Sequence, residues 1–191
     1  MALDLALLTA ALTEILDTSS TPADHPDFSK QVADAVDAYL LGAEMDPFPA
    51  PGIQPGSPPV TDPDGPSAKS IPDPLIVGIN FRTKFAEDVK STHDGAPRDF
   101  SLSSEAFQED IEAVVKNKDD AGYEGAGATV AAVTPDIDAA WAVGQDGGTH
   151  EEVATKLAAE LHACATSGAF TVASYQKSAF VGVPGPPLKI K

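Results

Sequence analysis

Between Met45 and Pro74 the chain carries ten prolines and three glycines, a density that no helix or central strand accommodates. Proline fixes φ and brings no backbone donor, so each one removes a hydrogen bond from any regular ladder. The run FPAPGIQPGSPPVTDPDGPS is expected to take polyproline II and turn conformations. Such a chain is semi-rigid and rises about 3.1 Å per residue, so the segment could extend as far as roughly 90 Å. Three uses are open to it: a plain linker, an arm lying along a neighbouring subunit, or a ligand for an aromatic groove. No basic residue sits beside the prolines to favour the last.

The segment divides the sequence into four parts. Residues 1–44 read as an N-terminal helical hairpin, 45–74 as a proline-rich arm, 75–175 as an acidic α+β body, and 176–191 as an extended C-terminal tail. The fold class expected is mainly α with short β segments, a small helical body with extended arms. With 191 residues, there is room for one domain or two small ones. Alanine is abundant and only 6 % of the chain is aromatic, so the helices are expected to be thin and closely packed.

Charge narrows the partners. Twenty-nine acidic residues against twelve Lys and Arg leave a formal net charge of −17. That field repels phosphate, which speaks against nucleic acid and against anionic membrane surfaces. A basic protein partner or bound cations would fit it, and so would solubility alone. Cys164 is the single cysteine, so an intrachain disulfide and a cysteine zinc cluster are both excluded. MALDLALLTAALTEIL lacks a basic leader and is broken by Asp4 and Glu14, so it reads as a mature helix and not a signal peptide. No apolar run approaches the ~20 residues needed to span a bilayer, and a soluble, unsecreted chain is expected.

Periodicity places the elements. Leu5, Leu8, Leu12, Ile15 and Leu16 recur at helical spacing over residues 3–17, with further apolar positions around them, so this helix wants burial on more than one side. A second helix is expected over 28–43, with Ser29 as N-cap, Val32, Val36, Tyr39 and Leu40 inward, Asp34 and Asp37 on the wet side, and Gly42 as the stop. Leu75–Ile79 is a short apolar run rich in β-branched residues and predicts a buried strand. Phe81, Phe85 and Val89 then argue for a helix, and 93–97 for a turn. Residues 104–118 predict a helix capped by Ser103 or Ser104, with Phe107, Ile111, Val114 and Val115 inward.

Downstream, 119–129 reads as a surface loop and 130–133 as a short strand. Thr134 and Pro135 predict a helix start, with Ile137, Ala140 and Trp141 facing inward. Thr149 and Glu152 form a capping box for a last helix that buries Val153, Leu157, Leu161 and Cys164. Residues 169–173 predict a strand. The blocks 32–39 and 157–164 can be overlaid, as two helix-plus-arm halves or as two alanine-rich helices that happen to align.

No catalytic, cofactor-binding or metal-ligating residue is expected, and no cofactor. His25, His93, His150 and His162 make no metal-binding pair. There is no nucleophile elbow and no phosphate loop; the glycines of GYEGAGAT lack a following Lys-Ser/Thr. Asp62-Pro63-Asp64-Gly65 lacks the glutamate of a calcium loop and reads as a turn. Asp136 and Asp138 suit a helix start, and Cys164 reads as a buried structural thiol.

Two pieces of the chain carry a resemblance: the N-terminal one with the opening helix LDLALLTAALTEIL and the helix FSKQVADAVDAYLLGA, and the C-terminal one with the helix HEEVATKLAAELHACATSG and the Thr/Val/Gly/Pro-rich AFTVASYQKSAFVGVPGPP. Together they resemble small proteins from the structural gene clusters of tailed bacteriophages. The resemblance is one of pattern, without a signature motif, and carries over no functional residue. It implies a virion component of neck, collar, tail or baseplate, assembled in the host cytoplasm, homo-oligomeric and bound to other virion structural proteins. A soluble acidic adaptor that recruits a partner through its proline-rich segment is the second class. An enzyme built on scattered carboxylates is the third, and no enzyme is the expectation.

Overall fold

The computed structural model describes residues 3–18, 25–41, 43, 74–116, 124–126, 129–171, 174–176 and 188–189. All of the expected arm at 45–74 except Pro74, which begins a helix, lies outside them, as do the Gly42 stop, most of the tail and the side chains of Val114 and Val115. Six helices dominate: α1 (Leu5–Thr18), α2 (His25–Leu40), α3 (Pro74–His93), α4 (Ser101–Lys116), α5 (Ile137–Gln145) and α6 (His150–Ser167). Very short antiparallel pairings join β1 (Glu124–Ala126) to β4 (Ser174–Gln176), and β2 (Thr129–Ala131) to β3 (Ala169–Thr171), with β5 (Leu188–Lys189) on the far side of β3.

α1 lies on α6 and α2, α3 packs between α2 and α4, and α5 lies on α6. The helices of 1–44 and those after Pro74 share one hydrophobic cluster, running from Leu8 and Leu12 through Val32 and Val36 to Leu157, Leu161 and Ala165. Its centre is aromatic. Phe81, Phe85, Phe100 and Phe107 are fully buried. The Phe81 ring lies 5.3 Å from both Phe85 and Phe107, and Trp141 closes the set at 5.2 Å from Phe100. Offset and edge-on aromatic pairs of this kind add about 0.5–1.5 kcal/mol each beyond their area. So few aromatic residues suffice because they are stacked together.

Several expectations need correction. Leu75–Ile79 is not a strand but the first turns of α3. A short apolar run is ambiguous by periodicity alone, and Asp73-Pro74 has the form of an N-cap followed by proline at the first helical position. Ser29 is not a cap: α2 begins at His25, and Ser29 is buried inside the helix. Ser103 and Ser104 lie in the first turn of α4, which starts at Ser101, where the backbone N–H donates to Asp99 Oδ1 at 3.0 Å. α5 begins two residues after Pro135, because Asp136 caps it by accepting from Ala139 N–H at 2.9 Å. Asp37 is not on the wet side of α2 but buried.

The last helix starts as its sequence predicts. Thr149 Oγ1 accepts from Glu152 N–H at 3.2 Å, and the Glu152 carboxylate accepts from Thr149 N–H at 2.7 Å. The turn before it depends on glycine. Gly147 has φ +88°, and a Cβ on Gly148 would fall 2.6 Å from Val143 Cγ1 and 2.7 Å from its carbonyl oxygen. Thr149→Ala should therefore cost about 1 kcal/mol, by removal of the cap acceptor. Urea titration checks this: an unchanged midpoint would show that α6 does not depend on its cap.

Candidate functional site

Polar side chains gather at the junction of α2, α3 and α4. Arg82 of α3 donates through Nη2 to Asp34 Oδ1 at 2.6 Å and to Asp37 Oδ2 at 3.2 Å, both on α2. Asp34 and Asp37 share a helix face by their i, i+3 spacing, which lets one guanidinium reach both. Asp110 of α4 is buried and accepts from the Phe81 backbone N–H at 2.8 Å. At the rim, Asn80 Nδ2 donates to Glu109 Oε2 at 3.1 Å. Asp37 Oδ1 and Arg82 Nε are buried and make no hydrogen bond among the described residues.

Arg82 is the cation inside the junction, and Lys30 meets Asp34 at its exposed edge at 2.5 Å. Burial raises the Asp37 carboxyl above its ordinary value, although Arg82 opposes the rise. Burial pushes the Asp110 carboxyl up to about 7; the Phe81 N–H opposes this, and the nearby charges of Glu109 and Asp37 add to it. This arrangement holds a proton near neutrality and ties three helices together. Its buried donors are a guanidinium and a backbone amide, with Asn80 and Lys30 donating at the rim, and together they position the carboxylates.

Other carboxylates finish helix ends. Asp88 of α3 is buried and accepts from Ser103 N–H at 2.9 Å and from the Ser103 hydroxyl, holding the first turn of α4. Burial raises its carboxyl as well. Asp138 accepts from Phe100 N–H at 3.0 Å and from Arg98 Nε at 3.2 Å. Its role here is wider than the helix-start charge the sequence suggests.

The residues with chemical potential are dispersed. His162 Nδ1 lies 2.5 Å from the Tyr39 hydroxyl, which joins α6 to α2. Burial raises the Tyr39 phenol, so it stays protonated. His150 Nδ1 meets Asp17 Oδ1 at 2.8 Å on the surface and links the end of α1 to the start of α6. Cys164 is completely buried, and burial pushes its thiol up to about 12. Among the described residues, no three His, Cys, Asp or Glu side chains are grouped to hold a metal ion. Asp62–Gly65 lies outside them.

The flank of α1 beside the start of α6 is the remaining feature. A shallow groove of about 990 Å³ runs along Leu5, Ala6, Thr9, Ala10 and Thr13 and ends at Asp17 and at Glu151 of α6. Leu7 stands next to it, 69 % exposed. The sequence foresaw a helix with more apolar surface than one neighbour could cover. It did not foresee the buried acids, because Asp37, Asp88 and Asp110 look like ordinary solvent-face positions until the helices that carry their donors are placed.

Among the described residues no helix is long and apolar enough to cross a membrane. No protein-family model, no curated protein and no solved structure matches this chain.

Proposed function

We propose that this chain is a non-enzymatic structural component of a tailed-phage virion, in the neck, collar, tail or baseplate. In this reading it holds neighbouring subunits and other virion proteins together through segment 45–74, and it acts as a homo-oligomer assembled in the host cytoplasm. The short β pairings and the proline-rich segments are then the assembling parts of an α+β subunit whose helices supply the rigid body.

One geometric observation carries the reading. α2 packs against the middle of α3: Phe28 near the start of α2 meets Phe85 at 6.1 Å, and Asp37 near its end meets Arg82. The two helices are therefore direct neighbours in one core. Neighbouring helices in a bundle are commonly joined by about 2–8 residues. Between these two the sequence carries residues 41–73, 33 in all. Closing the fold does not require that length, and a proline-rich composition suits a segment that reaches outward to a partner. The acidic adaptor is the second reading. It rests on the same surplus and on the net charge of −17.

Density-gradient sedimentation of lysate from the native source tests the choice. Co-sedimentation with capsid or tail proteins supports the virion part; recovery only as free protein favours the adaptor. A deletion of residues 46–70 should keep the helical circular dichroism of the parent and lose most of its assembly. Global loss of helix in that variant would show that the segment belongs to the core.

A further inference from the structure

We propose that the groove along α1 beside the start of α6 docks a cationic amphipathic segment of another protein. Its floor is apolar: Leu5, Ala6 and Ala10 line it without a charge. The threonines beside them bring no free donor. Thr9 Oγ1 donates to the Leu5 carbonyl at 2.9 Å and Thr13 Oγ1 to the Thr9 carbonyl at 2.9 Å, so both hydroxyls are spent on the helix backbone. The exposed Leu7 extends the apolar surface beyond the groove. Small residues at the floor let a partner backbone approach closely, as a helix laid in a groove requires.

The rim is uniformly acidic, with Glu14 and Asp17 from α1 and Glu151 from α6. Asp17 is met by His150, whereas Glu14 and Glu151 make no side-chain hydrogen bond or ion pair among the described residues. A ligand with apolar anchors and flanking Lys or Arg would satisfy both floor and rim, and the overall charge of −17 would steer it in.

Charge also selects against segments of this chain as the occupant. A second α1 would bring the same carboxylates to the rim. Segment 45–74 carries Asp46, Asp62, Asp64 and Asp73 against a single Lys69. In the C-terminal segment, Leu188 and Lys189 pair with Phe170 and Ala169 of the same chain. The inference holds whether the partner is a particle protein or a single recruited one, so it does not depend on the virion reading.

The test titrates the isotope-labelled full chain with a synthetic helical peptide of leucine and lysine, and with its leucine–glutamate counterpart. The lysine peptide should shift the amide signals of Ala6, Thr9, Ala10 and Thr13, and the glutamate peptide should not. Ala10→Trp, which fills the groove from an exposed position, should weaken binding about tenfold or more. The pair Glu14→Gln with Glu151→Gln should weaken it similarly and flatten its salt dependence. The pair Glu87→Gln with Glu105→Gln, away from the groove, should leave it unchanged. Equal weakening by both acidic pairs would reduce the effect to net charge and overturn the site. Shifts spread over the whole surface, or self-association of the protein that Ala10→Trp abolishes, would overturn it too, the latter by assigning the groove to a second copy.

Discussion

Leu161→Asp should abolish the cooperative thermal transition of this protein. Leu161 is fully buried on α6, the helix against which α1, α4 and α5 all rest. Truncation alone, as in Leu161→Ala, removes about 2–5 kcal/mol through lost transfer energy and a residual cavity. Aspartate adds the cost of a carboxylate with no partner, several kcal/mol more even after relaxation. Domains of this kind hold roughly 5–15 kcal/mol in total, so the sum exhausts most of what is available. Circular dichroism and Trp141 emission read the outcome. A melting curve matching the parent would mean that the inward face of α6 is not the one described here.

The second large effect is a pH dependence, and it runs opposite to that of a salt-bridged carboxylate. Burial raises Asp110 from the ordinary 3.8 to about 7 in the folded state. The folded chain therefore binds this proton more tightly than the unfolded one across that interval. Stability is greatest below pH 4 as far as this group is concerned, and falls as pH rises toward 7. At 1.36 kcal/mol per pH unit, a rise of about 3 units makes the full change about 4 kcal/mol. The groups that face Asp110 are Glu109 on its own helix, Asp37 on α2 and the Phe81 amide on α3. Asp37 and Asp88 are raised as well, so they push in the same direction. Asp110→Asn keeps an acceptor for Phe81 and removes the titration. It should melt higher than the parent at pH 8 and show a flatter stability profile between pH 4 and 7. A variant that melts lower than the parent at pH 8 would show that the charged carboxylate is an asset to the fold.

Local rules were legible in the sequence where one short segment decides the outcome. The capping box at Thr149 and Glu152 is complete within four residues, and the structure forms it. The inward stripes Val32–Val36–Leu40 and Phe107–Ile111 follow from helical spacing, and those residues are buried. The failures share a different cause. Whether Leu75–Ile79 is strand or helix depends on what continues after it, and the run itself has too few residues to show a period. The position of Asp37 depends on Arg82, 45 residues away; that of Asp88 depends on Ser103, across the turn between α3 and α4. Each carboxylate is buried because a distant donor reaches it. The candidate site at the α2–α3–α4 junction was invisible for the same reason, whereas the surplus apolar surface of α1 could be read directly from its leucines and alanines.

Cys164 turns the core into a clock. Its sulfur is sealed from solvent on α6, and the buried thiol, pushed up to about 12, carries almost no thiolate at neutral pH. Thiolate is the species that reacts with disulfides and maleimides. Labelling of the folded protein must therefore wait for α6 to open, and its rate reports the opening equilibrium when reclosing is fast and the opening rate when labelling outpaces reclosing. The sequence holds no other cysteine. A thiol introduced anywhere on the surface would be modified at once while the native one stays silent, so probes can be attached site by site on a chain that needs no prior removal of its own sulfur.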